Sequence, residues 1–389
     1  MNNESDRAIH PFTIEVPQAE LDDLRRRLEL ARLPEPLPGD AWDTGVPLAY
    51  LKELVEHWRD GYDWRAEEAK LNARPQFRTV IDGQPIHFLH VRSEREDALP
   101  LLLTHGWPGS IVEFLDVIDP LTDPDGHGAP GGPAFHVVIP SLPGFGFSSP
   151  LAGPGWDVAQ IARAWVELMD RLGYRRFVTQ GGDIGAAVSP EVARQAPDRV
   201  IGVHLNGNAG MPWNVSDEER AQLTDLERDR LARVSAFMNE EFGYISIQST
   251  RPQLIGAALS DSPVGQLAWI IDKFRQWTHP RTTLPDAIID RDRLLTNVML
   301  YWLTRTAGSA AYVGYALDGS AWGEPPQPSG VPTAVIVFAH DVGIRRYAEA
   351  EHTIVRWTDV PDRGGHFAAL EEPELLLADL RAFVGALRP

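Results

Sequence analysis

Hydrophobic positions follow two different patterns along the chain. Between residues 11 and 75 the pattern is helical, with Leu21, Leu24 and Leu28 spaced to share one helix face before Pro34 interrupts it. From about residue 76 short apolar runs of strand length follow one another, and those before residue 206 alternate with helical stretches. Buried strands that alternate with helices predict a mostly parallel sheet covered on both faces.

The apolar runs define the predicted elements, and the dipeptide Asp82-Gly83 predicts a hairpin between the first two. The predicted strands span residues 77–81, 86–91, 99–104, 136–139, 177–179, 201–205, 334–339 and 353–357. The predicted helices include 157–172, 217–239, 264–277 and 294–310. We therefore expect an α/β core in two parts, 76–205 and 330–389, with a helical lid inserted at 206–329 and an N-terminal helical extension at 1–75.

Composition excludes several classes of function. The chain has 36 Lys and Arg against 55 Asp and Glu, a net charge of −19, which argues against nucleic acid or an anionic membrane as a partner. It has no cysteine, so disulfides, thiolate nucleophiles and cysteine-bound metals are excluded. The histidines and carboxylates show no metal-ligand spacing, and we expect no metal and no cofactor. A polar N-terminus and short apolar runs predict a soluble, cytoplasmic protein.

The most informative motif is Gly181-Gly182-Asp183-Ile184-Gly185, which joins a predicted strand to a predicted helix. It resembles the nucleophile turn of α/β-hydrolases, with Asp183 where many members have serine. Small residues at 181 and 185 are what such a sharp turn requires, and the helix N-terminus favours a negative charge at 183. The alternative is an ordinary glycine-rich turn in which Asp183 only caps the helix.

Two further segments have the order that this fold requires. Thr104-His105-Gly106-Trp107-Pro108-Gly109-Ser110 follows a buried strand, and the N–H of Trp107 would form an oxyanion hole with that of Ile184. His366 lies in a glycine-rich loop after the last strand, where the general base belongs, and Asp341 follows the penultimate strand as its acidic partner. Asp359 and Asp362 are rivals for the acidic role.

An aspartate nucleophile is suited to attack on a carbon that bears a leaving group, which forms an ester of Asp183. His366, oriented by Asp341, would then activate a water that hydrolyses the ester, and the oxyanion hole would stabilise the tetrahedral intermediate. Epoxides and haloalkanes both suit this chemistry. An epoxide also needs an acid at the departing oxygen, usually a tyrosine.

The chain resembles the microsomal-type epoxide hydrolases along almost its whole length. The resemblance rests on PFTIEVPQAELDDLRRRLELARLP, HGWPGS, LPGFGFS, QGGDIGA, DSPVGQLAWIIDKF, LLTNVMLYW and RGGHFAALEEPELL. It implies conversion of an epoxide to a vicinal diol, with Asp183 as nucleophile, Asp341 as acid and His366 as base. It also implies two lid tyrosines that activate the epoxide, one of which is Tyr244.

Two positions depart from the family pattern. When the chain is aligned with the family pattern without gaps after LLTNVMLYW, the second tyrosine of the family falls on Gly314. Tyr315 is therefore the candidate for this role, and Tyr312 is its alternative. The family often has tryptophan after the nucleophile, where this chain has Ile184. The smaller side chain suggests a bulkier, apolar epoxide as substrate.

Alternatives to the epoxide hydrolase remain open at this point. A haloalkane dehalogenase would use the same fold and nucleophile and would release halide. A non-catalytic α/β-hydrolase relative would bind a ligand without turnover, although the set of Asp183, Asp341 and His366 argues against it. We expect a small-molecule partner, and homodimer formation is compatible with the sequence.

Overall fold

The computed structural model describes residues 7–39, 42–207, 209–212, 215–321 and 327–387, with side chains described to residue 316 in the last helix of the lid. Nine strands of this part form one sheet. In chain order, β1 to β9 are His10–Phe12, Gln76–Ile81, Gln84–Val91, Leu99–Thr104, Phe135–Pro140, Phe177–Gly181, Val200–Asn206, Pro332–Val337 and Thr353–Asp359. Their spatial order is β1-β2-β3-β5-β4-β6-β7-β8-β9.

The sheet is mixed in a way that groups the parallel strands together. The pairs β1–β2, β2–β3 and β3–β5 are antiparallel. The remaining neighbours, in the order β5, β4, β6, β7, β8 and β9, are parallel. Side chains of the central strands are buried on both faces, as in Phe177–Gly181, where every residue is buried. The predicted α/β fold with a mostly parallel sheet is confirmed.

Helices cover the sheet, and those between β7 and β8 lie in the segment predicted to be the lid. In chain order, α1 to α16 are Gln18–Glu29, Leu48–Asp60, Trp64–Asn72, Leu115–Thr122, Val158–Arg171, Ile184–Gln195, Asp217–Ala221, Asp225–Ala236, Gly243–Thr250, Pro252–Asp261, Pro263–Trp277, Arg291–Thr304, Ala307–Ala321, Arg345–Ala348, Ala368–Glu371 and Pro373–Leu387. A 3₁₀ turn at Ile111–Phe114 precedes α4, and a π-helical turn at Phe237–Glu241 precedes α9.

Three elements differ from the sequence-based expectation. The predicted helix 217–239 is broken, because the Thr224 side chain forms a capping box with Glu227 and starts a new helix there. The predicted helix 294–310 is broken at Arg305, which has a φ of 55° in the left-handed region. The predicted helical extension contributes the strand β1, a three-residue element too short to give an alternating pattern.

The helical extension packs onto the lid helix α12. Tyr62 shares a hydrogen bond of 3.0 Å with Thr296, and His57 Nε2 lies 2.6 Å from Asp292 Oδ1. Trp58 Nε1 contacts the Met299 sulfur at 3.2 Å. These contacts tie the N-terminal helices to the lid.

We tested the helices for membrane-spanning character. Within the described ranges, no single helix combines the length and hydropathy of a membrane span. The pair Pro252–Asp261 and Pro263–Trp277, bent by 118°, passes only when both helices are taken together.

Candidate active site

The predicted catalytic residues lie at one edge of the sheet. Trp107, Asp183, Asp341 and His366 come after β4, β6, β8 and β9. These strands are parallel, so their carboxyl ends meet at the same edge, where open α/β sheets bind their ligands.

Asp183 occupies a strained turn between β6 and α6. Its φ is 55° and its ψ is −122°, a conformation that residues other than glycine rarely adopt. A Cβ at Gly181 would collide with the Gly185 carbonyl, and a Cβ at Gly185 would collide with that of Thr104. The Asp183 side chain makes no capping bond to the N2 or N3 amide of α6. The turn therefore serves to expose the carboxylate, and the interpretation as a simple helix cap fails.

The Asp183 carboxylate has two oxygens with different surroundings. The N–H of Trp107 donates to Oδ1 at 2.8 Å, and the N–H of Ile184 also bonds to the carboxylate. His366 Nε2 lies 3.4 Å from Oδ2. Burial opposes ionisation, but the His366 contact and the two amides outweigh it and hold the pKa of Asp183 below its usual value. The carboxylate is thus ionised, with one oxygen held by amides and the other facing the imidazole.

His366 is held by its backbone and by an aromatic neighbour. Its N–H donates to the Trp277 carbonyl at 2.9 Å, and the two ring centroids are 4.9 Å apart. Burial lowers the pKa of His366, but the contact with Asp183 and the charges of Asp341 and Glu113 outweigh it, so the pKa is raised.

Asp341 is 1% exposed and lies close enough to affect His366 electrostatically. Its Oδ2 accepts a hydrogen bond of 3.0 Å from the Phe338 N–H, whereas its buried Oδ1 has no hydrogen-bond partner among the described residues. Burial raises the pKa of Asp341 to about 6. A free, buried carboxylate oxygen beside the base is suited to accept the imidazole N–H.

The rivals of Asp341 lie in other surroundings. Asp359 accepts a hydrogen bond from Arg230 at 2.7 Å, and Asp362 is exposed on the loop before His366. The geometry therefore favours Asp341.

Tyr244 is packed between aromatic rings. It stacks on Trp107 at a centroid distance of 5.0 Å and lies 5.4 Å from Trp277, while Lys273 Nζ is 5.0 Å from its ring centroid. Burial, followed by the charges of Asp183 and Glu241, raises the pKa of Tyr244 well above its usual value. Its phenol is therefore protonated and able to donate a proton near Asp183.

The structure does not bring Tyr315 to the same place. Tyr315 is 48% exposed, and its ring stacks on Tyr312 at 5.5 Å. A Cβ at Gly314 would lie 3.4 Å from the Cβ of Gln248, four residues after Tyr244 on α9. On α13 it is thus position 314 that faces the helix of Tyr244, and glycine offers no donor there.

Several residues near the site were not predicted from the sequence. Asn297 Nδ2 and Tyr301 OH, both on α12, donate to the carbonyls of Pro108 and Gly109 at 2.8 and 2.6 Å, which fixes the Trp107 loop. Glu113 lies beside the catalytic groups. Asn297 and Tyr301 are part of the LLTNVMLYW block, but a sequence block does not reveal which loop its side chains contact.

Asp183 and His366 line a cavity of about 10 Å³. This is about the room that one water needs. The lining residues are Gly106, Trp107, Glu113, Phe114, Gly182, Asp183, Asn206, His366, Ala368 and Ala369. Within the described part of the chain, His, Asp and Glu nowhere gather in threes that could hold a metal ion.

Comparisons with known proteins agree with this geometry. The family model described as "Epoxide hydrolase N terminus" matches residues 9–114, and the one described as "alpha/beta hydrolase fold" matches residues 100–254. A Stigmatella aurantiaca protein named "Putative epoxide hydrolase" is 47% identical over 385 residues, which cover 98% of this chain and 86% of that protein. Epoxide hydrolase 1 of Sus scrofa is 37% identical over 413 aligned positions, which cover 98% and 90%.

Solved structures give the same result. Juvenile hormone epoxide hydrolase from the silkworm Bombyx mori superposes with a TM-score of 0.88 at 29% identity, covering 100% of this chain and 96% of that one. Aspergillus niger epoxide hydrolase superposes with a TM-score of 0.84 at 34% identity, covering 99% and 98%. The chain belongs to the microsomal-type epoxide hydrolase family.

Proposed function

We propose that the chain converts epoxides to vicinal diols through a covalent ester of Asp183. The proposal rests on the different partners of the two Asp183 carboxylate oxygens. Oδ1 accepts a hydrogen bond from the Trp107 N–H, and Oδ2 faces His366. Oδ2 is the oxygen free to attack, and Oδ1 becomes the ester carbonyl that the amides polarise.

In the first half-reaction, Asp183 Oδ2 bonds to one epoxide carbon and that C–O bond breaks. Tyr244 donates its phenolic proton to the oxygen that leaves the carbon, which gives a hydroxyl group and a tyrosinate. The tyrosine is suited to this role because burial keeps its proton in place until the alkoxide forms.

In the second half-reaction, His366 takes a proton from water and the hydroxide bonds to Asp183 Cγ. The negative charge moves to Oδ1, which the N–H groups of Trp107 and Ile184 stabilise. The intermediate collapses, and the leaving alkoxide takes the proton from His366 to complete the diol. The new Asp183 carboxylic acid loses its proton, and the tyrosinate regains one, so the enzyme is restored.

Asp341 acts on His366 rather than on substrate. Its free Oδ1 would accept the imidazole N–H as the proton arrives from water, which orients the base and stabilises its charged form.

We also propose that the substrate is bulky and apolar. The support is Ile184, a half-buried aliphatic residue that follows the nucleophile. Ile184→Trp should shift the preference toward smaller epoxides; an unchanged size preference would contradict this part of the proposal. The steady-state kcat/KM for a series of epoxides of increasing size measures it.

Intact mass of a His366→Gln variant tests the reaction class. Without the base, attack proceeds and hydrolysis stalls, so incubation with epoxides should add the mass of a whole epoxide to the protein. Asp183→Asn is the control and should show no adduct. Addition of a chloroalkane less HCl, with no epoxide adduct, would instead indicate a dehalogenase. The absence of every adduct would mean that the compounds used are not substrates or that the chain is a binding protein.

A further inference from the structure

Glu113 lines the same cavity as Asp183 and His366, yet the mechanism above gives it no role. It is the third residue of the 3₁₀ turn Ile111–Phe114, which follows the Trp107 loop. No hydrogen bond or ion pair joins its carboxyl group to another described residue; its interactions there are the electrostatic ones with His366, Asp183 and Tyr301. A carboxyl group that faces a cavity without a protein partner calls for a polar occupant.

The backbone leaves space for this carboxyl group. A Cβ at Gly109 would collide with Glu113 Oε1, so the Glu113 side chain occupies the place that a residue at 109 would otherwise take. Tyr301 holds this part of the loop by its bond to the Gly109 carbonyl. The loop that carries the Trp107 amide therefore also positions the Glu113 carboxyl group at the cavity.

Asn206 gives the cavity a further polar group. Its Oδ1 accepts a hydrogen bond of 2.7 Å from Gln180, whereas its Nδ2 has no acceptor among the described residues. Buried water is held by two to four polar partners. The cavity has room for one water and offers His366, Glu113 and Asn206 as its partners.

We propose that Glu113 is a further catalytic residue, which binds the water that hydrolyses the Asp183 ester and orients it toward Asp183 Cγ. This inference rests on the proposed function. One O–H of the water points to His366 Nε2, which takes that proton; the other is held by Glu113 and stays on the oxygen as it bonds to Cγ. Asn206 donates to the water oxygen and fixes its orientation.

This role is confined to the second half-reaction. Attack on the epoxide uses Asp183 and Tyr244 and consumes no water, so Glu113 has nothing to orient at that stage. The two half-reactions therefore separate this role from a purely structural one, which would affect both.

The electrostatics agree with this assignment. Burial, and then the charge of Asp183, raises the pKa of Glu113 to about 8, while His366 opposes the shift. Formation of the ester removes the charge of Asp183, and the pKa of Glu113 falls. A larger fraction of Glu113 is then ionised, and a carboxylate accepts a hydrogen bond from water more strongly than a carboxylic acid does. This change occurs at the stage when the water is used.

Stopped-flow tryptophan fluorescence and quenched-flow intact mass under single-turnover conditions test the proposal. With an epoxide that alkylates the wild-type enzyme, Glu113→Leu should leave the alkylation rate within about 3-fold and slow ester hydrolysis about 10- to 100-fold, the loss expected for one hydrogen bond to a reacting group. Glu113→Gln keeps an acceptor oxygen and should retain hydrolysis within about 10-fold.

The control is Asp116→Asn, three residues further along the same segment. Asp116 is 55% exposed and pairs with Arg293 at 2.8 Å, away from the cavity, so neither half-reaction should change. Hydrolysis in Glu113→Leu within 3-fold of wild type would overturn the proposal, as would equal slowing of alkylation and hydrolysis. If instead no epoxide forms an ester in His366→Gln, the proposed function itself fails, and this result is distinct from either outcome.

The pH profile of hydrolysis gives a second readout. The groups that face Glu113 are Asp183 on the nucleophile turn, His366 on the loop after β9 and Tyr301 on α12. Wild-type hydrolysis should rise as Glu113 ionises, in addition to the rise caused by His366, and this component should be missing in Glu113→Gln. Identical profiles in the two proteins would contradict the proposal.

Discussion

The sheet edge and the lid hold their functional groups by different means. At the sheet edge, backbone amides fix the reacting atoms, as Trp107 and Ile184 do for the Asp183 carboxylate. In the lid, Tyr244 is held by stacking on Trp107 and by a tilted contact with Trp277, and no described residue makes a hydrogen bond to its hydroxyl group. Amides of a packed turn cannot move separately from the sheet, whereas a stacked ring keeps freedom to follow the substrate oxygen.

The same difference explains which family features are retained. The sheet edge has its complete set of residues at the expected turns. On the lid, the second tyrosine position is Gly314, and the neighbouring Tyr315 points into solvent. A one-residue displacement turns a helical side chain by about 100°, so a tyrosine beside the correct position does not replace it.

The largest effect should come from the sheet edge. Asp183→Asn removes the nucleophile, and turnover of epoxides should fall at least about 10⁴-fold because no ester can form. Diol formation measured under saturating substrate, together with the absence of a mass adduct, checks this. A variant that retains more than a hundredth of the wild-type turnover would show that another group is the nucleophile.

In the lid, Tyr244→Phe should slow alkylation about 100-fold, since the departing oxygen loses its proton donor, and leave ester hydrolysis unchanged. Tyr315→Phe is the matched control and should stay within about 2-fold in both half-reactions because the Tyr315 side chain is 48% exposed and stacks on Tyr312. Single-turnover alkylation rates measure both variants. Equal loss in the two variants would mean that α13 repacks when substrate binds.

The two half-reactions should separate with pH at the sheet edge. The contact with His366 and the two amide hydrogen bonds lower the pKa of Asp183, so alkylation should persist as the pH falls toward 4. Hydrolysis needs neutral His366, and ester formation removes the Asp183 charge that raises the pKa of His366 in the resting enzyme. The hydrolysis rate should therefore fall about tenfold per pH unit below the pKa that His366 has in the ester. At a pH above the pKa of Asp183 but below that of His366 in the ester, the ester should accumulate in the wild-type enzyme. Intact mass after an acid quench would detect it. Parallel loss of alkylation and hydrolysis would contradict the assignment of His366.

The smallest effect should come from the connection between the two regions. Tyr301→Phe removes a buried hydrogen bond of 2.6 Å to the Gly109 carbonyl and should cost about 1–3 kcal/mol of the free energy of unfolding, with hydrolysis slowed a few-fold. Tyr62→Phe removes a bond of 3.0 Å to Thr296 on the same helix and should reduce stability without slowing hydrolysis. Urea unfolding and single-turnover hydrolysis distinguish the two variants. Unchanged hydrolysis in Tyr301→Phe would show that the Tyr301 hydrogen bond does not position the Trp107 loop.

The sequence predicted the functional turns at the carboxyl ends of the strands more completely than it predicted the elements of the lid. The glycines around Asp183 and the segment at Trp107 predicted turns whose backbone geometry follows from local sterics. The helix breaks at Thr224 and Arg305 were not predicted, because a capping box and a left-handed residue interrupt a pattern that remains helical in hydrophobicity. The division into an extension, a core and a lid stays a prediction.

The sequence by itself determined the fold class, the order of the catalytic segments and the type of nucleophile, because strand period, small residues and chain order are local properties. Only the tertiary structure decided which side chains share the cavity. Glu113 and Asn206 line the same cavity as Asp183 and His366. Tyr301 donates a hydrogen bond to the loop that carries Trp107, and Tyr315 is largely exposed to solvent. Contacts between residues far apart in the chain depend on how helices and loops pack, and no local pattern encodes that packing.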